Sequence, residues 1–171
     1  LMPNNEKQFV NFKIHSQFSI CEGAVKIDEL SNYCKTNKVK AVGICDSFNL
    51  CGALEFSEKI SKIGTQPIIG SQINFRIENI IARLPIFTKT DEGYKNLTKL
   101  SSKSYLEVEN NHPHCNISDL ISMNDGLIVL SGGANDLFGE LYKANKIKLI
   151  KEILKNFKDN FQDRFYLEIQ R

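Results

Sequence analysis

The sequence predicts a single α/β domain built on a largely parallel sheet or barrel. Strand-like and helix-like runs alternate along the chain, the rhythm of βα units. The chain has 171 residues, 42% hydrophobic and 25% charged, enough to bury one real core at an ordinary globular composition. Polar residues also gather at the C-terminal ends of three predicted strands, where α/β folds carry their chemistry: His15 and Ser16; Cys45, Asp46 and Ser47; Gly70, Ser71 and Gln72.

Taken in order, FVNFKI (9–14) alternates β-favouring residues and reads as a strand. Residues 26–37 place Ile27, Leu30, Tyr33 and Cys34 at helical spacing. KAVGI (40–44) is a short buried strand. Residues 51–64 form a helix stopped by Gly64, with Leu54, Ile60 and Ile63 inward. QPIIGSQINFRI (66–77) is a strand with a glycine break. In the next strand, 79–87, Pro85 suggests an edge position or a bulge. Residues 91–105 read as a helix and 108–116 as a polar loop. A short helix over 117–124 has Ser118 and Asp119 in its first turn. GLIVLSGG (126–133) is a buried strand ending in glycines. Two amphipathic helices follow, 135–145 and 147–161, and RFYLEI (164–169) is the last strand.

The bulk numbers exclude several classes. A net charge of +2 does not by itself argue for nucleic acid. Five cysteines, at 21, 34, 45, 51 and 115, form no CxxC pair, which suggests reduced thiols in a cytoplasm. No apolar run approaches the roughly 20 residues of a membrane span. The start, LMPNNEKQF, has no apolar segment of a signal peptide, and residues 1–8 are expected to be disordered. Leu1 before Met2, and an end directly after a strand-like run, suggest a chain cut from something longer.

Four stretches carry a resemblance: FKIHSQFSICEG, ICDSFNLCGALEF, QPIIGSQINF and DEGYKNLTKLSSKSY. In these, and in GLIVLSGG and DRFYLEIQR, residues 9–171 resemble the N-terminal PHP (polymerase and histidinol phosphatase) domain of bacterial DNA polymerase III alpha subunits. The resemblance implies a distorted (β/α)7 barrel, incomplete here at the C-terminus, and a parent that performs template-directed DNA synthesis with Mg²⁺. It also implies partners: the remainder of the alpha chain, a proofreading exonuclease subunit, other replicase subunits, and DNA and deoxynucleoside triphosphates met through the parent, in a bacterial cytoplasm and with no membrane. If absent segments supply closing strands, hydrophobic edges are exposed and the isolated chain is poorly soluble.

Active members resemble H-x-H-[ST]-x-x-S-x-x-D-G, with both histidines on metal. Here the first is Lys13 and the second His15, and the aspartate is Glu22. D-H-G-N-L reads Asp46, Ser47, Phe48, Asn49, Leu50, so a histidine ligand is Ser47. A glutamate is Gln72, and a further histidine is Arg83. Of six positions, His15 and Glu22 keep a ligand-competent group and are the expected residual metal ligands; no catalytic or cofactor-binding residue is expected. A cation cluster needs imidazoles and carboxylates around it. At an effective dielectric of about 20, a cation near 4 Å from a like charge costs roughly 4 kcal/mol. Lys13 and Arg83 are instead expected to pair with Glu22 or Asp46, leaving a degenerate site and no cofactor in this chain.

Simpler readings stand beside these. A lone strand-end histidine such as His15 is commonly just hydrogen-bonded. Asp46 can cap the turn that follows it. HPHC (112–115) holds ligand types too closely spaced, around Pro113, to reach one ion, and shows no fourth ligand. Ser131, Gly132 and Gly133 suggest a tight turn more than a phosphate cradle, lacking the P-loop lysine. The lysine-rich run 146–161 reads as a solvated face over an apolar stripe of Ile147, Leu149, Ile150, Ile153, Leu154 and Phe157. Two functions compete: a non-catalytic architectural and exonuclease-docking module, or a phosphoesterase or 3′–5′ exonuclease using hydroxide on Mn²⁺ or Zn²⁺. An unrelated amidohydrolase-like barrel leaves GYKNL and DSFNLCG unexplained.

Overall fold

A computed structural model describes residues 9–106 and 112–169. The expectation of disorder at 1–8 and part of the 108–116 loop lie outside the described residues. Helices α1 (Ile27–Thr36), α2 (Ala53–Lys62), α3 (Asp91–Leu106), α4 (Ile117–Ser122), α5 (Leu137–Lys143) and α6 (Ile147–Phe161) surround one sheet. Its strands are β1 (Ala41–Ser47), β2 (Gln66–Ile77), β3 (Ile80–Thr88), β4 (Cys115–Asn116), β5 (Leu127–Leu130) and β6 (Phe165–Tyr166). They lie in the order β1-β2-β3-β5-β6, with β4 beside β2.

All run parallel except β3, which is antiparallel to both β2 and β5. The cause is the connection: Glu78 and Asn79 alone join β2 to β3, too short for a crossover helix, and Glu78 turns the chain at φ 53°. Pro85 is therefore not on the edge that its ring suggested. β3 is internal, and its ladder with β5 begins only at Ile86, so no bond to β5 needs the missing N–H.

Residues 9–14 do not form a regular strand. They still lie along β1, with Asn11 O accepting from Gly43 N at 2.7 Å and Ile14 O from Cys45 N at 2.8 Å. Three residues there span two of β1, which breaks the ladder. The approach is close: a Cβ at position 43 would sit 2.5 Å from Phe12 O, so only glycine fits. The glycine break in β2 has a similar origin, because a Cβ on Gly70 would strike the Phe87 ring at 2.4 Å.

The core has two clusters. The larger joins β2, β3 and β5 to α3, α5 and α6 through Phe75, Leu84, Ile86, Leu97, Leu141, Phe157 and others. The smaller packs α1 and α2 on β1 through Ile27, Leu30, Cys34, Ile44, Phe56 and Ile60. Two expected inward residues turn out exposed, Tyr33 and Leu54. Helix α2 buries Ala53, Phe56 and Ile60, a spacing of three and four that leaves Leu54 a quarter-turn off that face. On α6 the buried residues are Ile153, Phe157 and Phe161, while Ile147 at the helix start is 38% exposed.

The sheet curls. Phe12, beyond β1, packs edge-to-face on Phe87 of β3 with centroids 5.7 Å apart. Lys13 reaches Glu168, just past β6, at 2.9 Å. Between these ends lies a cleft of about 660 Å³ lined by Phe9, Phe12, Leu130 and Ile169 among others. Phe9 and Ile169 are 80% and 87% exposed.

Candidate functional site at the mouth of the sheet

The C-terminal end of β1 carries Asp46 and Ser47, as the α/β reading predicts, and sets them level with Ser71 and Gln72; these two lie midway along β2 and not at its end, because β2 continues to Ile77. The 15–25 loop folds over them, and Arg83 arrives from β3. Two further carboxylates, not singled out in the sequence, complete the rim: Asp136 in the turn between β5 and α5, and Glu168 beyond β6.

Asp46 is buried, 2% exposed, and accepts three hydrogen bonds from the loop. Ser16 N donates at 2.6 Å and Ser16 Oγ at 2.7 Å, and Ser19 Oγ donates at 2.7 Å. It therefore reaches back to the preceding loop and does not cap the turn that follows it. Asn49 takes that role, its Oδ1 accepting from Cys51 N at 3.0 Å. Ser19 Oγ accepts in turn from Ser47 N at 3.0 Å. Beneath this, burial pushes the Cys45 thiol far above its usual range, so it stays neutral.

The rest of the rim is ionic. Arg83 Nε donates to Asp136 Oδ1 and its Nη1 to Glu22 Oε1, each at 3.0 Å. Lys13 donates to both oxygens of Glu168, at 2.9 and 3.1 Å, and lies 3.9 Å from Asp136. Ser47 Oγ donates to Glu22 Oε2 at 2.5 Å. That hydroxyl is the main reason the Glu22 carboxyl titrates below its ordinary value; partial burial opposes the shift and Arg83 adds to it. Arg83 loses some charge stability to burial, but its two carboxylate partners outweigh the loss and hold it more firmly protonated than usual. The expected pairing of the basic residues with Glu22 holds for Arg83. It does not hold for Asp46, whose carboxylate accepts from the loop's own hydroxyls and amide; Asp136 and Glu168 supply the counter-charges instead.

The expected residual ligands therefore differ in state. Glu22 is committed to Ser47 and Arg83. His15 is partly buried and its Nδ1 has no partner among the described residues, nor has the buried Gln72 Oε1. Among the described residues no group of three or more His, Cys, Asp or Glu side chains is arranged to hold a metal ion. Carboxylates already paired with an ammonium and a guanidinium, beside a hydroxyl and an amide, do not fit a divalent cluster.

The other sequence candidates separate. Cys115 turns into the core, its Sγ donating to Leu100 O, while His114 Nδ1 contacts His112 O at 2.7 Å, so HPHC does not converge. The Ser131–Gly133 stretch is a turn: Gly132 takes φ 72°, and Gly133 N donates to Asp136 Oδ2 at 2.6 Å. Ser131 Oγ accepts from Glu168 N at 2.9 Å, which fixes the carboxylate facing Lys13. Asp136 had one sequence signal, its place just after a glycine-ended strand. Glu168 had none beyond lying in the last strand.

A curled α/β sheet with polar side chains collected at its strand ends defines a barrel-type domain of the kind that supports chemistry at that mouth. The chain belongs to the PHP domain family, whose profile matches residues 11–171. DNA polymerase III subunit alpha of Buchnera aphidicola is 34% identical over 172 residues, covering 98% of this chain and 15% of that protein. Its counterparts in Aquifex aeolicus and Caulobacter vibrioides are each 35% identical, over 96% and 95% of this chain and 16% and 15% of theirs. The chain thus spans under a fifth of the length of these relatives. Among solved structures, a Bifidobacterium adolescentis protein provisionally described as a metal-dependent phosphoesterase matches with TM-score 0.55 and 12% identity, over 93% of this chain and 76% of that one. An amidohydrolase from Chromobacterium violaceum matches with TM-score 0.54 and 9% identity, over 86% and 74%. These two establish the fold.

Proposed function

We propose that this chain is the N-terminal domain of a bacterial replicative DNA polymerase III alpha subunit and that it serves there as a non-hydrolytic scaffold. In this reading the longer protein carries out template-directed nucleotidyl transfer with Mg²⁺, in the cytoplasm, on DNA and deoxynucleoside triphosphates. The domain supports the polymerase body and docks a proofreading exonuclease subunit among other replicase subunits. Parentage is supported by relatives of 34–35% identity along nearly the whole chain. The scaffold role rests on one observation: two side-chain cations, Lys13 and Arg83, hold the three rim carboxylates Glu22, Asp136 and Glu168. The two cations offset two of those three negative charges, fill the places beside them and repel a divalent ion.

The test is elemental analysis of purified protein together with a phosphodiesterase assay on single-stranded DNA with added Mn²⁺. The expected result is substoichiometric metal and no hydrolysis above a heat-killed control. Stoichiometric Mn, Fe or Zn lost on His15→Ala would overturn the scaffold reading. It would favour the second one, a metal-dependent phosphoesterase or 3′–5′ exonuclease with His15 and Glu22 as residual ligands. What favours that alternative is the unpartnered Nδ1 of His15.

A further inference from the structure

The outer face of α6 takes no part in the rim. Lys148, Lys151, Lys155 and Lys158 are all exposed and recur at steps of three, four and three. At about 100° per residue they fall within an arc of ~80° and climb ~15 Å of helix. Elsewhere on the surface Lys59, Lys95, Lys103, Lys143 and Lys146 are held in ion pairs. The four on α6 are in none among the described residues, although Glu152 and Asp159 flank the stripe on the same helix. Charge is also unevenly distributed along the chain. Residues 143–158 hold six lysines and one glutamate, a charge of +5, so the other residues carry −3 of the total +2.

We propose that this lysine stripe is a contact for the phosphate backbone of nucleic acid. Phosphates on one strand of duplex DNA rise about 3.4 Å each along the axis but wind away around it, so a straight helix face of ~15 Å meets about two or three of them, with the remaining lysines beside the same backbone. An anionic membrane is the poorer fit. A helix that lies in a lipid interface needs an apolar face to insert, and here Ile153, Phe157 and Phe161 are spent in the core. The proposal rests on the polymerase reading only for DNA as the polyanion.

The test is equilibrium binding of the full-length protein to a fluorescein-labelled duplex of about 20 base pairs, followed by anisotropy across a NaCl series. The variant carries Lys148→Gln, Lys151→Gln, Lys155→Gln and Lys158→Gln together, with circular dichroism to confirm an unchanged helix signal. Each phosphate contact contributes ~0.9 to the slope of log K against log salt, so the slope should become shallower by about 2–4, with affinity at low salt reduced about tenfold or more. A control variant, Lys35→Gln, Lys38→Gln and Lys62→Gln, should stay within about twofold. An unchanged slope in the quadruple variant overturns the proposal. So does competition by polyglutamate, or binding to phosphatidylserine vesicles, as strong as that of DNA. The slope difference is read without DNA synthesis, so failure of the polymerase reading would show separately, as absent extension of a primed template.

Discussion

The two halves of the rim solve the same problem differently. Around Asp46 a buried carboxylate is satisfied by neutral donors: an amide and two hydroxyls from the 15–25 loop. Around Asp136 and Glu168 the carboxylates are satisfied by cations brought from distant sequence, Lys13 lying 155 residues from Glu168. The first half joins β1 to a loop 27–30 residues earlier and, made with uncharged donors, is nearly indifferent to salt. The second ties the first described segment, β3 and the far side of β6 together through charge. The fold is thus held at its mouth by hydrogen bonds from one loop to β1 and by ion pairs among more distant elements, and the two kinds of tie should fail differently.

The sharpest way to separate them is Asp46→Ala. It strands Ser16 N, Ser16 Oγ and Ser19 Oγ in a buried place and should cost about 3–4 kcal/mol in urea denaturation, nearly independent of salt. A loss under about 1 kcal/mol would mean that water replaces the carboxylate freely. Next is Lys13→Met, which takes the ammonium away from Glu168 and Asp136; a loss of about 2 kcal/mol is expected, less than for a fully buried pair. Adding Glu168→Gln should recover much of it, because one of the two carboxylates then no longer needs the ammonium, and no recovery would show that Lys13 acts through packing. A smaller effect belongs to Glu22, whose folded pKa lies below the ordinary 4.5. Its contribution is complete above the unfolded value and is lost as pH falls through the folded one. Glu22→Gln should therefore lower stability most at neutral pH and least in acid, which flattens the acid side of the stability–pH curve. Smallest is chelation: EDTA should shift Tm by less than about 1 °C, where a bound divalent ion would make the shift large.

The sequence was a better guide to backbone than to partners. Alternating runs located β1, β2, β5 and most helices, because hydrophobic period is a local property. It misjudged β3, since Pro85 looked like an edge residue and nothing local announces that a two-residue link forces an antiparallel neighbour. For the site, it pointed to Lys13, His15, Glu22, Ser47, Gln72 and Arg83, and the structure brings Lys13, Glu22, Ser47 and Arg83 into direct bonds or one linked network. Of the two carboxylates expected to meet the cations, Glu22 pairs with Arg83 but Asp46 pairs with neither. Asp46 was nearest in motif, but Ser16 and Ser19 had already claimed it, and Asp136 and Glu168 come close only once the sheet curls.

The missing side chain at position 43 reaches further than its own contact. Because the Phe12 backbone rests against that bare Cα, the same stretch can hold its ring under the sheet and its neighbouring ammonium over the top. One added methyl group there would pry the opening segment away, so the greasy floor and the charged lintel would come undone together, through a lever with no polar atom of its own.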